Sequence, residues 1–192
     1  GNIRVFCRVR PLLPAEEQRQ PRLEHIRFPP QDNTSLLLCR PEEAQRGRER
    51  RGDARYDFTF DRVFPPGATQ HDVFQEIATL VQSALDGYHV CIFAYGQTGS
   101  GKTYTMEGPP PGGDTPNPPG DPPMDGDTPL GGDNPPPIPS DDPPSAGMIP
   151  RAVRHVFQGA RALELKGWKY EFSASFLEIY NESVRDLLGG GG

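Results

Sequence analysis

The sequence has few cysteines, no long apolar run and no general excess of positive charge. Its three cysteines, Cys7, Cys39 and Cys91, occur without a C-x-x-C pair or accompanying histidines, which excludes a recognisable disulfide framework or zinc site. We expect them to be small buried side chains in a reducing compartment. No stretch approaches the roughly 18 apolar residues of a membrane span, and the first ten residues are strand-like rather than a signal peptide. A membrane partner is therefore not expected.

The net charge of −6 comes from one segment of biased composition. Residues 109–147 hold 15 of the 24 prolines, seven glycines and seven aspartates, without a lysine or arginine. The rest of the chain is close to neutral, whereas a nucleic-acid-binding surface usually needs an excess of basic residues. No nucleic-acid partner is expected. Because a segment of this composition cannot bury a core, we expect 109–147 to be a disordered insert.

Hydrophobic periodicity predicts an α/β domain around this insert. Alternation over residues 3–9 and 56–60, and an apolar run at 36–39, indicate strands. Apolar residues recur every three or four positions in two other segments, which predicts amphipathic helices from Thr69 to Gly87 and from about Ile149 to Gly167. The first of these helices opens with a capping-box pattern.

Three further segments have predicted conformations. The unbroken apolar run 90–95 is too short for a core helix and is typical of a central strand buried on both faces. Residues 168–176 alternate and predict a long strand that continues toward Asn181. Residues 40–55 carry charges of both signs and predict a solvated loop.

Residues 96–103 read GQTGSGKT and fit the pattern G-x-x-x-x-G-K-[ST]. The spacing lets successive backbone N–H groups point at a phosphate, and a following helix adds its positive end. Lys102 would reach the outer phosphates, and the Thr103 hydroxyl would coordinate Mg²⁺. The motif follows a predicted strand and precedes a helical stretch, which is the context it requires. A glycine-rich turn that binds no ligand is the alternative.

A hydrolytic site of this kind also needs a second carboxylate near the metal and a group that orients water. No further apolar strand of the sequence ends in such a pair. Asp61 and Glu178 are the acidic candidates, but turn and strand-edge roles suit them better.

Four segments carry a resemblance to a known family: GNIRVFCRVRP at 1–11, FDRVF at 60–64, IFAYGQTGSGKTYTMEG at 92–108 and SFLEIYNESVRDLL at 175–188. Together they resemble the N-terminal half of a kinesin motor domain. The opening residues are similar to the neck–motor junction of the C-terminal-motor, minus-end-directed subclass. The resemblance implies a three-layer P-loop NTPase fold, with a mixed central sheet flanked by helices.

The resemblance also implies roles for individual residues toward ATP and Mg²⁺. The loop would bind the phosphates and the magnesium ion, with Thr103 as the metal ligand; its residues are Gly96, Gln97, Thr98, Gly99, Ser100, Gly101, Lys102 and Thr103. Arg8, Arg10 and Pro11 would line the adenine side, and Tyr104 would approach the base. For the two arginines, a solvated strand face is the alternative. Residues 178–182 (EIYNE) are expected to be structural.

Within this resemblance, residues 1–188 form a partial motor domain, interrupted by the insert 109–147 and followed by a polyglycine tail at 189–192. The sequence contains no N-x-x-S-S-R-S-H and no D-L-A-G-S-E, so both switch regions are missing and an incomplete motor is expected. The family implies a microtubule partner, dimerisation through a coiled coil, and a cytoplasmic, cytoskeletal location. A role at the mitotic spindle and a role in vesicle transport are equally open.

Three functions remain open at this point. The first is an ATP-driven microtubule motor, and the second is a nucleotide-binding, hydrolysis-incompetent microtubule-binding module. The third is an unrelated P-loop kinase or GTPase, which would have no affinity for tubulin.

Overall fold

The computed structural model describes residues 3–20, 22–39, 55–110 and 143–189. Most of the predicted charged loop (40–54), most of the predicted insert (111–142) and the last three glycines lie outside the described residues. The helices and strands in chain order are β1 (Phe6–Arg8), α1 (Pro14–Glu17), β2 (Ile26–Arg27), β3 (Ser35–Cys39), β4 (Arg55–Thr59), β5 (Arg62–Phe64), α2 (Gln70–Leu85), α3 (Lys102–Met106), α4 (Met148–Glu164), β6 (Leu177–Tyr180) and β7 (Ser183–Asp186).

The strands of the described residues form three small sheets. β1 pairs in parallel with β5, with Cys7 opposite Val63. β2, β3 and β4 form an antiparallel meander in which Leu37 lies opposite Asp57, and β6 and β7 form a hairpin. The strands predicted at 3–9, 36–39 and 56–60 are confirmed, although β1 is shorter than its alternating pattern. The mixed α/β character is as predicted, but in this part of the chain the central sheet is present only in pieces.

Helix α2 begins where the capping pattern placed it. The Thr69 hydroxyl accepts a hydrogen bond from the Asp72 backbone N–H (3.1 Å), and the Thr69 N–H donates to the Asp72 carboxylate (2.8 Å). These bonds satisfy N–H groups that a helix start leaves without an intrahelical partner. At the other end, Gly87 has a φ of +96°, a left-handed conformation that favours glycine and ends the helix.

Replacement of Thr69 by alanine is expected to lower the free energy of unfolding by about 1 kcal/mol, because the cap hydroxyl is lost. Urea unfolding of the full chain measures the change. Thr79→Ala, at an exposed position of the same helix, is the matched control and is expected to stay within about 0.5 kcal/mol of the parent. Equal unfolding midpoints for Thr69→Ala and Thr79→Ala would contradict the role of the cap.

The core lies between α2 and α4, against strand β5. Its buried members are Phe64, Val73, Phe74, Ile77, Val81 and Met148. Four of these six belong to the apolar stripe that the sequence predicts for α2, so periodicity identified the buried face correctly. Pro150 lies in the first turn of α4, where its missing N–H costs nothing.

Three predictions are wrong. Residues 90–95 form no strand, and although Ile92 packs against the core, Phe93 and Tyr95 are exposed. A strand needs hydrogen-bonding neighbours, and no described residue supplies them to this run. Cys91 is exposed with this segment rather than buried. Residues 168–176 also form no strand, so the predicted long strand is limited to β6, and its partner β7 follows after a two-residue turn.

The two ends of the predicted insert meet beside helix α3. The Gly147 N–H donates to the Glu107 carbonyl oxygen (3.2 Å), which joins the end of α3 to the start of α4. Arg151 is buried, with only 5% of its surface exposed. Its side chain donates to the carbonyl oxygens of Ala146 (2.9 Å), Pro144 (3.0 Å) and Pro143 (3.1 Å). Residues 143–147, which the sequence grouped with the insert, therefore pack as part of the fold.

Candidate functional site

The GQTGSGKT segment forms a loop that leads directly into a helix. Gly99 and Gly101 have φ values of +81° and +91°, in the left-handed region that side chains rarely adopt. Gly101 is the N-cap of α3, which begins at Lys102. Inside the loop, the Ser100 N–H donates to the Gln97 carbonyl oxygen (3.1 Å). The helix predicted after the loop is therefore confirmed, but the strand predicted before it is absent, because residues 90–95 form none. The glycines lie where the turn needs them.

Lys102 lies over the loop that precedes it. Its ammonium donates to the carbonyl oxygens of Gly96 (2.8 Å) and Gln97 (2.9 Å). Thr103 follows on the exposed side of α3. A Cβ added to Gly96 would come within 2.5 Å of the Ser100 hydroxyl, so a side chain there would require the Ser100 side chain to rotate. A cationic lysine, a neighbouring hydroxyl and a tight glycine loop are the donor set that suits a polyphosphate with Mg²⁺.

Arg8 projects from β1 toward the helix that follows the loop. Its Nη1 donates to the side-chain oxygens of Gln70 (2.7 Å) and Thr105 (3.0 Å), and its guanidinium carbon lies 5.7 Å from the Tyr104 ring centroid. Burial lowers the pKa of the Arg8 guanidinium from its usual range. A half-buried arginine with these partners does not lie on a solvated strand face.

Arg10 lies near the loop on its other side and is held by helix α1. Its two terminal nitrogens each donate to one oxygen of the Glu16 carboxylate at 2.7 Å, and Nη1 also reaches the Pro11 carbonyl oxygen (3.0 Å). A cavity of about 590 Å³ opens here, with Arg8, Arg10, Gln97 and Ser100 in its wall. The cavity thus brings together the two predicted adenine-side arginines and part of the loop, whereas the other predicted site residues, Pro11, Lys102, Thr103 and Tyr104 among them, are not in its wall.

The Arg10 guanidinium and the Leu13 backbone N–H lower the pKa of the Glu16 carboxyl to about 2, from an ordinary value of 4.5. Since the folded value is the lower one, the stabilisation from this pair is complete above pH 4.5 and is lost as the pH falls toward 2. Arg10→Ala is expected to move the Glu16 pKa back toward 4.5. NMR titration of the side-chain carboxyl carbon measures it. Arg19→Ala, which leaves the pair intact, is the control, and an unmoved Glu16 pKa in Arg10→Ala would contradict the assignment.

The weaker acidic candidates do not reach this site. The Asp61 N–H donates to the Val5 carbonyl oxygen (2.9 Å), and the Val5 N–H donates to the Asp61 carboxylate (2.7 Å). Glu178 lies in β6, in the exposed hairpin. The turn of that hairpin is Asn181–Glu182, with φ values of +46° and +65°. Asp61 therefore has the turn role that the sequence favoured, and EIYNE is structural here.

Sequence reasoning missed Gln70, the first residue of α2. It is buried and bonds to Arg8, and its amide also donates to the Tyr104 carbonyl oxygen (2.6 Å). A signal was available, because Gln70 precedes Val73, Phe74 and Ile77 at the spacing of one helix face. A polar residue at such a position is buried only when its hydrogen bonds are satisfied.

Among the described residues, no three His, Cys, Asp or Glu side chains lie close enough together to hold a metal ion by themselves. The motif assigns Thr103 to Mg²⁺ through its hydroxyl, with phosphate and water oxygens completing the shell. No helix in the described ranges has the length and apolar character needed to cross a bilayer.

Comparison with known proteins gives the same family from sequence and from structure. The profile of the kinesin motor domain matches residues 8–191. Carboxy-terminal kinesin 2 of Xenopus laevis is 53% identical over 188 residues, which is 98% of this chain and 24% of that protein. The human kinesin-like protein KIFC1 is 50% identical over 199 aligned positions, covering all of this chain and 25% of that protein.

Among solved structures, the C-terminal motor domain of Kar3 from Candida glabrata superimposes with a TM-score of 0.67 at 36% identity. The match covers 98% of this chain and 49% of that one. The chain thus spans about a quarter of the length of its curated relatives and about half of a solved motor domain.

Proposed function

Because the chain belongs to the kinesin motor domain family, we propose that it binds Mg·ATP at the loop 96–103, as part of a microtubule motor of the C-terminal type. The observation that carries the proposal is the geometry of the loop, with left-handed Gly99 and Gly101 and with Lys102 held over it. The fold places this loop beside the cavity that contains Arg8 and Arg10. One cavity of this size accommodates a nucleotide whose phosphates lie on the loop.

Each predicted side chain has a distinct task in this proposal. Lys102 exchanges its two carbonyl partners for phosphate oxygens, which bind it more strongly because they carry charge. The Thr103 hydroxyl and the N–H groups of the loop hold the phosphates and the ion. Arg8, Arg10, Pro11 and Tyr104 bound the base side. When bound, ATP supplies the phosphoryl group that is transferred, and Mg²⁺ neutralises its charge.

The test of nucleotide binding is titration of the full chain with a fluorescent ATP analogue, with and without Mg²⁺. We expect saturable, magnesium-dependent binding at a stoichiometry of one. Absence of saturable binding would contradict the proposal at its first step. GTP and CTP serve as competitors that report on selection at the base side.

The proposed motor activity belongs to the whole protein. The kinesin relatives support microtubule binding and microtubule-stimulated ATP hydrolysis, with movement along cytoplasmic microtubules. The proposal extends to the microtubules of the mitotic spindle. Similarity to C-terminal kinesins supports minus-end-directed travel and dimerisation through a coiled coil. Steady-state ATPase assays of the full-length protein, with and without microtubules, test this. Microtubule-stimulated turnover would confirm the motor.

A nucleotide-binding microtubule module without hydrolysis is the second candidate. It is favoured by one observation: both acidic candidates are engaged elsewhere, Asp61 with the Val5 backbone and Glu178 in the exposed hairpin of β6 and β7. Stoichiometric ATP binding and microtubule co-sedimentation without turnover would establish this alternative.

A further inference from the structure

Gln70 is the most deeply buried polar residue near the loop, with 2% of its surface exposed. Both ends of its amide are bonded. The side-chain oxygen accepts from Arg8 Nη1 (2.7 Å), and the side-chain nitrogen donates to the Tyr104 carbonyl oxygen (2.6 Å) and lies 3.4 Å from the Ser145 carbonyl oxygen. A buried amide with short bonds at both ends has a fixed orientation, because either rotation would leave a donor or acceptor unsatisfied.

The partners of Gln70 belong to three different parts of the fold. Arg8 comes from β1, Tyr104 from the helix after the phosphate loop, and Ser145 from the packed end of the insert. Arg8 also donates to Thr105 Oγ1 (3.0 Å) and faces the Tyr104 ring. Gln70 and Thr105 together therefore fix the direction of the Arg8 guanidinium relative to the aromatic ring.

We propose that Gln70 is a positioning residue for the base side of the nucleotide site. It does not touch the nucleotide itself. It holds the Arg8 side chain and the Tyr104 backbone in fixed positions relative to each other, so that the two side chains bind the base as a preformed pair. This inference rests on the proposed function, since it concerns the same site. Preorganisation of this kind raises affinity, because the ligand does not have to order the side chains that bind it.

Gln70 makes no hydrogen bond to Lys102, Thr103 or the loop that precedes them. Lys102 is placed by its bonds to the Gly96 and Gln97 carbonyl oxygens, and Gly101 sets the start of α3. Neither contact includes Gln70 or Arg8. Loss of Gln70 should therefore weaken recognition of the base and leave recognition of a polyphosphate unchanged.

The experiment compares two ligands, ATP and inorganic tripolyphosphate, each with Mg²⁺, by isothermal titration calorimetry of the full chain. In Gln70→Met, which keeps the side-chain volume and removes the amide hydrogen bonds to Arg8, Tyr104 and Ser145, we expect the Kd for ATP to rise about tenfold. The Kd for tripolyphosphate is expected to stay within about twofold of the parent, a change of less than 0.5 kcal/mol. Gln75→Met, at an exposed position of the same helix, is the matched control and should change neither value.

Thr105→Val provides an independent test if Gln70→Met does not fold, since it removes a second side-chain acceptor of Arg8 from a half-buried position. It is expected to weaken ATP binding selectively, as Gln70→Met does. Equal weakening of both ligands, or no change in either, would overturn the inference and leave Gln70 with a purely structural role. If the parent chain binds neither ligand, the proposed function itself fails, and this result is distinct from the other two.

Discussion

Lys102→Ala is expected to weaken Mg·ATP binding by about 100-fold or more, since two charge-assisted hydrogen bonds of about 1.5 kcal/mol each are lost. In the structure, Lys102 donates to the loop carbonyl oxygens of Gly96, which is half-buried, and Gln97, which is exposed. Removing it therefore leaves no buried group unsatisfied, and the fold should persist. Titration with a fluorescent ATP analogue measures the affinity, and circular dichroism confirms that the variant is folded.

Lys166→Ala is the matched control for charge, because Lys166 is an exposed lysine that follows helix α4, away from the loop. Its affinity for Mg·ATP is expected to equal that of the parent. An unchanged affinity in Lys102→Ala would overturn the assignment of residues 96–103 as the phosphate loop.

Gly147→Ala is expected to lower the free energy of unfolding by about 3 kcal/mol, at the upper end of the usual cost of overpacking. A Cβ at this position would lie 2.5 Å from both the carbonyl carbon and the nitrogen of Glu107, and 2.6 Å from the nitrogen of Gly108. These are backbone atoms, so no side-chain rotation relieves the contact. Relief requires the chain to open the Gly147–Glu107 hydrogen bond that closes the insert.

Gly67→Ala is the control for this substitution, because a Cβ on Gly67 would meet no atom within 4 Å and its φ lies outside the left-handed region. Its free energy of unfolding is expected to stay within about 1 kcal/mol of the parent, of either sign. Urea unfolding of both variants of the full chain measures the difference. Equal stability of the two would mean that the ends of the insert are not packed as described.

Local signals in the sequence predicted the helices and the loop well. The Thr69–Asp72 cap, the apolar stripe of α2 and the GQTGSGKT spacing each depend on residues within a few positions of one another. Such patterns predict structure reliably because the interactions they encode are themselves local. The helix before the loop, the short helix after it and the glycine conformations were therefore accessible without coordinates.

The errors occur where structure depends on distant partners. Residues 90–95 have the composition of a central strand, but a strand forms only when neighbouring strands accept and donate its hydrogen bonds. Phe93 and Tyr95 remain exposed because no described residue covers that side of the run. The same reason limits the 168–176 pattern, whose only strand is the hairpin arm beginning at Leu177.

The same difference between local and distant interactions holds for the residues of the candidate site. Arg8 and Arg10 were expected near the base through the family resemblance, and the structure adds which residues hold them. Their partners Gln70 and Glu16 are 62 and six residues away in the chain, respectively. The nearer pair could have been suggested from sequence, whereas the contact between Gln70 and Arg8 requires β1, α2 and α3 to be assembled first.

A reporter can be attached within the insert, because the two ends of the insert are held together by the fold. Because Glu107 and Gly147 are already joined by a hydrogen bond, the length of chain between them has little influence on the rest of the fold. Each doubling of a loop's length adds only about 0.6 kcal/mol to the free-energy cost of closing it, and this cost is entropic. A fluorescent protein or an affinity tag could replace residues within 111–142 while both termini stay unmodified.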